Sequence, residues 1–405
     1  MNALGTPTMR QAGFSLIELM IGMLIGLLCT LVIASVLSAA EGNRRGTTSG
    51  TDAQIAGNLS LFSVRRYVES SGYGFASESA AVGCNLVATF NGNPVAALPP
   101  RLAPVFITEG ANGGSDTVRV ISSAKGIDPD SGSTDGFTVP VRVQSDTGSA
   151  IDPGYEPGDQ YYGVANNLTY QQGDLVVAVT PVDAGLPENN CELFEVNAPV
   201  NSAANPFRVP RLDEPTRWNA PGRPMVTSVG PGAGRAGTFL VNLGRISDRQ
   251  YFVDGNQRLM QSVLNTATLT RDVTEVQGQV VLLKAMYGRD TDADGAVDTY
   301  DYTTPNSVDG WQNVLAVRMA VVARSGQYEK DKVTSANPLW DVGSAATVAG
   351  TTDCGSSKCV ELRVDRVSDD WEHYRYRVFD TVVPLRNQRF RSGNLAAAPP
   401  PASGP

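Results

Sequence analysis

The clearest pattern in the chain is an apolar run near its start. From Leu19 to Ala40 there is neither charge nor proline. At about 1.5 Å per helical residue, that run roughly matches a ~30 Å hydrocarbon core. Lipid offers no partner for backbone N–H and C=O groups, so the run predicts a helix. Polar residues from Glu41 to Gly50, with Gly42, Gly46 and Gly50 among them, predict a loosening. A helical period then resumes with Ile55, Leu59 and Phe62, and Tyr67 and Val68 fall close to the same face. Thr51 or Asp52 suits the cap of a restarted helix, and Ser70-Ser71-Gly72-Tyr73-Gly74 suits its end. The Ile55 stripe is expected to be the face that packs on a sheet.

Beyond Ala76 the pattern changes to short apolar stretches broken by Gly, Pro, Asn and Asp. Thr117 to Ile121, Phe137 to Val141 and Leu175 to Val179 predict strands, and Phe239 to Leu243 with Gln250 to Val253 suggest a pair. Long loops separate them, over 122–136, 144–172 and 197–225. Val280 to Tyr287 and Asn313 to Val322 predict buried strands, and the alternation from His373 to Val383 predicts a half-buried one. The tail from Ala396 is rich in Pro and Ala and predicts disorder.

Composition agrees with this reading. The 405 residues include 41 Gly and 25 Pro, with only 18% charged, which suits turn-rich β structure better than a helical bundle. The fold class expected is therefore α+β. Net charge is −9, and Arg10 and Glu18 cancel, so the excess lies beyond residue 40. An acidic head is a poor partner for nucleic acid, whose affinity comes mainly from Lys and Arg on phosphates. Of the five cysteines, Cys29 falls within the apolar run and reads as a packing residue. Cys84, Cys191, Cys354 and Cys359 make an even set suited to two disulfides in an oxidising compartment. Three pairings exist, and Cys84 with Cys191 and Cys354 with Cys359 across Gly-Ser-Ser-Lys is the one favoured. A zinc site is disfavoured by the spacings and by the single histidine, His373.

Glu18 stands inside the apolar segment, where a carboxylate costs roughly 2.5–3.5 kcal/mol on insertion scales. So costly a residue needs a positive partner. Gly13-Phe14-Ser15-Leu16-Ile17-Glu18 resembles the processing site of type IV prepilins. The resemblance implies cleavage between Gly13 and Phe14 by a prepilin peptidase, and methylation of the new amine. That places an ammonium one helical turn before Glu18. Two plainer readings compete. A secretory signal peptide would be cut after its core, at Ala34-Ser35-Val36 or Ser38-Ala39-Ala40. An ordinary single-span anchor explains neither Glu18 nor the Gly-Phe step. Met9 offers a second start that leaves a shorter leader, and Arg44 and Arg45 weaken any orientation drawn from charge.

Between two predicted strands runs Asp290-Thr291-Asp292-Ala293-Asp294-Gly295-Ala296-Val297-Asp298-Thr299-Tyr300-Asp301. Carboxylates at Asp290, Asp292, Asp294, Asp298 and Asp301, the Ala296 carbonyl and a turn at Gly295 match the spacing of an EF-hand calcium loop. The last position is Asp instead of the bidentate Glu, and the flanks predict strands. The competing reading is an acidic hairpin whose Asp and Gly merely suit turns. Five carboxylates so close repel one another without a cation, which favours Ca²⁺ as the one cofactor candidate. None is required by the rest of the chain.

No nucleophile elbow, P-loop or metal-binding histidine pair is present, and the expectation is that the chain is no enzyme. Gly232-Ala233-Gly234-Arg235-Ala236-Gly237 matches a dinucleotide fingerprint by letters, but a strand is predicted after it where a helix is needed. A membrane-anchored periplasmic hydrolase is the alternative from a different class.

Together with the Gly13 to Leu19 motif, Tyr67 to Tyr73, Tyr287-Gly288-Arg289-Asp290, Trp311 to Arg318, Tyr376 to Phe379 and Leu385 to Asn387 resemble the PilW family of minor pilins. The resemblance implies a type IV pilin-like fold: a long N-terminal helix, half in the membrane and half amphipathic in the periplasm, packed on a β-rich, mostly antiparallel head. It divides the chain into a leader (1–13), a transmembrane helix (14–40) and a periplasmic helix (41–74). A variable β-rich region (75–275), a C-terminal β region (276–390) and a disordered tail (391–405) follow. The implied function is initiation of pilus assembly, in a tip or priming complex with other minor pilins and the major pilin. Helix contacts would join them, with Glu18 seeking a neighbour's amine and Gly22 and Gly26 permitting close approach. Inner-membrane placement precedes incorporation into the pilus. A type II secretion pseudopilin is the nearest rival reading.

Overall fold

The apolar run forms a helix, and the helix does not stop where the polar stretch begins. In the computed structural model, which describes residues 15–125, 138, 140–143, 161–180, 190–200, 207–212, 217–219 and 239–389, one helix runs unbroken over Leu16–Ser70. The expected loosening at 41–50 and a restart at Thr51 or Asp52 are therefore absent. Each helical glycine costs about 1 kcal/mol relative to Ala but keeps its backbone hydrogen bond, so spaced glycines weaken a helix without cutting it. The helix ends where glycine first takes a positive φ, at Gly72 (φ 72°). The chain divides into two units, Met1–Asp52 and Ala53–Pro405.

In the first unit the helix offers a membrane-length segment, Leu16–Ser38, with mean hydropathy 2.6 and none of its hydropathic window buried. In the second unit the buried helical face is Ala53, Ala56, Gly57, Ser60, Val64 and Val68. Ile55, Leu59 and Phe62 are 59%, 46% and 63% exposed, contrary to the expectation that they meet the sheet. Close approach selected small side chains over large apolar ones. A Cβ placed on Gly57 would stand 2.1 Å from two ring carbons of Phe379, so the ring lies directly on the helix backbone.

The helix rests on a core shared with a four-stranded antiparallel sheet. Its strands stand in the order Thr299–Asp301, Val280–Arg289, Val314–Arg324, Tyr376–Pro384. The Val280 strand is buried at every position but its last. One of its faces, with Leu283, Ala285 and Tyr287, joins Val64 and Val68 of the helix. Its other face, with Val281, Leu282 and Met286, is covered by Trp340, Val342, Leu362 and Val364. A register shift between Val280 and Leu282 breaks strict alternation there, as a bulge does.

A five-stranded antiparallel sheet, Arg271–Gly278, Arg258–Leu264, Ile246–Val253, Thr117–Ser123 and Val105–Thr108 in that order, contributes to the same core. A six-stranded sheet is antiparallel except where Cys84–Val87 pairs with Asn190–Glu195. Phe239–Leu243 and Gln250–Val253 both lie in strands, as expected, but in different sheets. The Phe239–Gly244 strand joins Leu175–Thr180, while Ile246–Val253 joins Thr117–Ser123, and Gly244 (φ 60°) turns the chain from one sheet to the other. Inside two of the expected loops, Tyr161–Gly163 and Arg208–Pro210 form a small antiparallel pair. Of the strand expected over 137–141, the described part is Val141–Arg142.

His373 is not in a strand. It ends a short 3-10 turn, Trp371–His373, with its Nδ1 2.7 Å from the Glu329 carbonyl and its ring stacked on Tyr328. The chain then closes on its own beginning. Asn387 Nδ2 donates to the carbonyls of Ser70 (3.2 Å) and Ser71 (2.9 Å), and Gln388 Nε2 donates to the Trp311 carbonyl (2.9 Å). The last carbonyls of a helix have no partner within it, so this amide supplies what the helix lacks.

Candidate functional site

Two places carry the residues singled out by sequence: the first turn of the long helix and the acidic loop. Glu18 lies in that first turn, and its Oε2 accepts a hydrogen bond from the Ser15 N–H at 3.2 Å. Ser15-Leu16-Ile17-Glu18 has the Ser-x-x-Glu spacing of a capping box, whose acid reaches back to a free N–H at the helix start. The signal is legible in the spacing, yet reasoning from membrane cost alone passes over it. The carboxylate thus has a local partner before any second chain arrives. Gly13 and Phe14 lie outside the described residues. A Cβ at Gly22 or Gly26 would meet nothing within 4 Å, so that helix face is open at both positions.

The acidic loop leaves the Val280 strand and returns through Thr299–Asp301. Asp290, Asp292 and Asp294 each place a carboxylate oxygen within 4.8 Å of the others. Backbone amides hold them: Asp290 accepts from Ala293 N (2.6 Å) and Gly295 N (2.9 Å), and Asp294 accepts from Ala296 N (2.7 Å). Positive φ at Ala293 and Gly295 makes the turn. Asp298 faces away, accepting from the backbone N–H (2.6 Å) and hydroxyl (2.8 Å) of Thr291, and those two bonds hold its carboxyl below the usual range. Asp301 forms a two-point pair with Arg289, at 2.5 and 3.0 Å. Of the six positions expected to ligate calcium, three carboxylates converge and two are engaged elsewhere. A Ca²⁺ ion takes six to eight oxygens, so most of a shell here would come from carbonyls and water. The capture of Asp301 was hidden in sequence because Arg289 meets it only across the strand pair.

Both disulfides form as favoured. Cys84 bonds Cys191 between neighbouring strands of the six-stranded sheet, and Cys354 bonds Cys359 across a hairpin. Cys29 is free and exposed on the helix.

Two protein-family models match the chain. The one described as Type IV Pilus-assembly protein W covers residues 250–387, and the one described as Prokaryotic N-terminal methylation motif covers residues 8–34. No curated protein and no solved structure matches. The first region holds the whole four-stranded sheet, the acidic loop and Asn387, which caps the long helix. The second holds the Gly-Phe step, the Ser15–Glu18 turn and most of the membrane-length segment. Both models describe regions of structural pilus components, and here the second falls on a helix long and apolar enough to cross a membrane. With a long N-terminal helix and an α+β head, the chain carries a PilW region and a prepilin-type methylation motif, the two marks it shares with type IV pilus-related pilins.

Proposed function

We propose that this chain is a minor pilin that helps to prime type IV pilus assembly, in a tip complex with other minor pilins and the major pilin. The carrying observation is the long helix, whose apolar side chains are unburied over Leu16–Ser38 and again at Ile55, Leu59 and Phe62. Such a surface suits packing against other helices. Prepilin peptidase would cut after Gly13 in the inner membrane and leave the head in the periplasm. The new Phe14 ammonium and Glu18 would then offer complementary charges, so that a neighbour's amine could exchange with the Ser15 N–H for the carboxylate. In a medium where an isolated charge is costly, that exchange selects one axial register over its alternatives.

Replacing Glu18 with Ala should leave the protein inserted and cleaved but poor at initiating pili. Normal piliation and twitching in that strain would refute the register role. Gly13→Ala should block processing, so a membrane-extracted variant that is as short as the processed parent would overturn the cut site. Cleavage by prepilin peptidase also separates this reading from a membrane-anchored hydrolase, which gives no reason for it. A type II secretion pseudopilin shares the Gly13 motif, but the match over 250–387 favours the pilus. The convergence of Asp290, Asp292 and Asp294 supports a second, local proposal, that the loop binds Ca²⁺.

A further inference from the structure

Lys125 is buried at the end of the Thr117–Ser123 strand, 1% exposed, and its ammonium meets a single carboxylate. Its Nζ lies 2.7 Å from Asp174 Oδ2 and donates to the Thr169 carbonyl at 2.6 Å. Asn242, fully buried on the Phe239–Gly244 strand, directs its Nδ2 to the same two oxygens, at 2.9 and 2.7 Å. The amine and the amide are therefore held side by side on one pair of acceptors. The Asn242 carbonyl oxygen accepts from Gly244 N at 2.9 Å, which polarises it. Gly244 is also what lets the lysine pass: a Cβ there would stand 2.7 Å from Lys125 Cγ. The other buried lysine pair, Lys284 with Asp116, differs. Both carboxylates also accept backbone N–H groups, Asp174 from Gln171 (2.8 Å) and Asp116 from Gly110 and Ala285, but among the described residues no side-chain amide shares the Lys284–Asp116 contact.

We propose that Lys125 and Asn242 are joined by an intramolecular isopeptide bond, formed with Asp174 as the proton carrier. The Asp174 carboxylate takes a proton from the Lys125 ammonium, leaving an amine with a free electron pair. Nζ attacks Asn242 Cγ, and the N–C bond forms as the carbonyl π pair moves onto Oδ1, where the Gly244 N–H stabilises the charge. The tetrahedral centre collapses, the Cγ–Nδ2 bond breaks, and the proton held by Asp174, with the one shed by Nζ, leaves on the nitrogen as ammonium. One ammonium and one asparagine amide become one secondary amide and one ammonium ion, with no redox partner needed. Holding both reactants in a dry, fixed geometry supplies the proximity such a slow reaction requires.

Mass spectrometry on the full chain, extracted in detergent, reduced, alkylated and digested with trypsin, tests this directly. The expected product is a branched peptide joining the Lys125 and Asn242 segments, one ammonia lighter than their sum, with no cleavage after Lys125. Recovery of the two segments as separate peptides, with Lys125 open to amine labelling, overturns the proposal. A branched peptide one water lighter, linked at Asp174, overturns the assignment to Asn242. Asp174→Asn, confirmed as folded by its near-UV spectrum, should lose the branch, and its persistence there would remove Asp174 from the reaction.

Discussion

Replacing Gly57 with Ala is the sharpest test of how the helix meets the head. In an exposed helix the change would stabilise, by about 0.8–1 kcal/mol. At Gly57 the new Cβ would stand 2.1 Å from Phe379 Cδ2 and Cε2, about 1.4 Å short of an ordinary carbon–carbon contact. The strand register, Phe379 opposite Val321, fixes the Phe379 backbone against the helix, so relief has to come from the ring leaving its place on Gly57. Forcing extra carbon into a packed site costs about 1–3 kcal/mol, and a clash this deep belongs at the upper end. The net expectation is a loss of about 1–2 kcal/mol after the helix gain of about 1 kcal/mol is subtracted. Equilibrium denaturation in detergent, followed by the fluorescence of buried Trp311 and Trp340, measures it. Two comparisons make the result specific. Gly50→Ala on the same helix, with nothing within 4 Å, should stabilise instead. Phe379→Leu combined with Gly57→Ala should recover part of the loss, giving a non-additive cycle. If Gly57→Ala is as stable as the parent, or behaves additively with Phe379→Leu, the close approach is not what the glycine serves.

Three other perturbations follow from the structure. Removing the Cys84–Cys191 bond, which spans 107 residues, should cost about 5 kcal/mol in the chain-entropy description, against about 2 kcal/mol for Cys354–Cys359, which spans 5, and equal losses by denaturation would contradict that ordering. Calorimetry should detect Ca²⁺ binding that Asp292→Ala or Asp294→Ala abolishes and Asp301→Ala spares, since Asp301 is held by Arg289; absence of heat with the parent chain refutes the site. Asp298 should titrate below the ordinary 3.8, because the Thr291 bonds favour its anion. Its contribution to loop stability is then present above 3.8 and lost as pH falls through the folded value, and an NMR midpoint at or above 3.8 counts against those bonds.

What the sequence made legible was whatever depends on neighbours along the chain. The membrane-length helix, the Val280 and Val314 strands, the acidic turn and the Ser15–Glu18 cap all follow from spacing within a few residues. The buried helix face did not, because hydrophobicity pointed to Ile55, Leu59 and Phe62 while the sheet selected for size and took Ala53, Ala56 and Gly57. Nor did the sheets of the first half of the head. Asn85 stands opposite Asn190, and Val105 opposite Val120 beside a strand from beyond residue 245, so their order is set by contacts that no local window contains. Asp301 shows the same limit at a single residue, since its charge partner comes from the neighbouring strand.

The Asn387 amide that completes the long helix comes from 317 residues downstream of the Ser70 carbonyl it serves. Synthesis from the N-terminus presents that helix first and its cap last. Until residue 387 is in place, the Ser70 carbonyl has only the Tyr73 N–H, at 3.3 Å, and the Asn387 bonds to Ser70 and Ser71 are unmade. A head truncated before residue 387 therefore leaves the helix terminus without the amide that ties it to the far end of the chain.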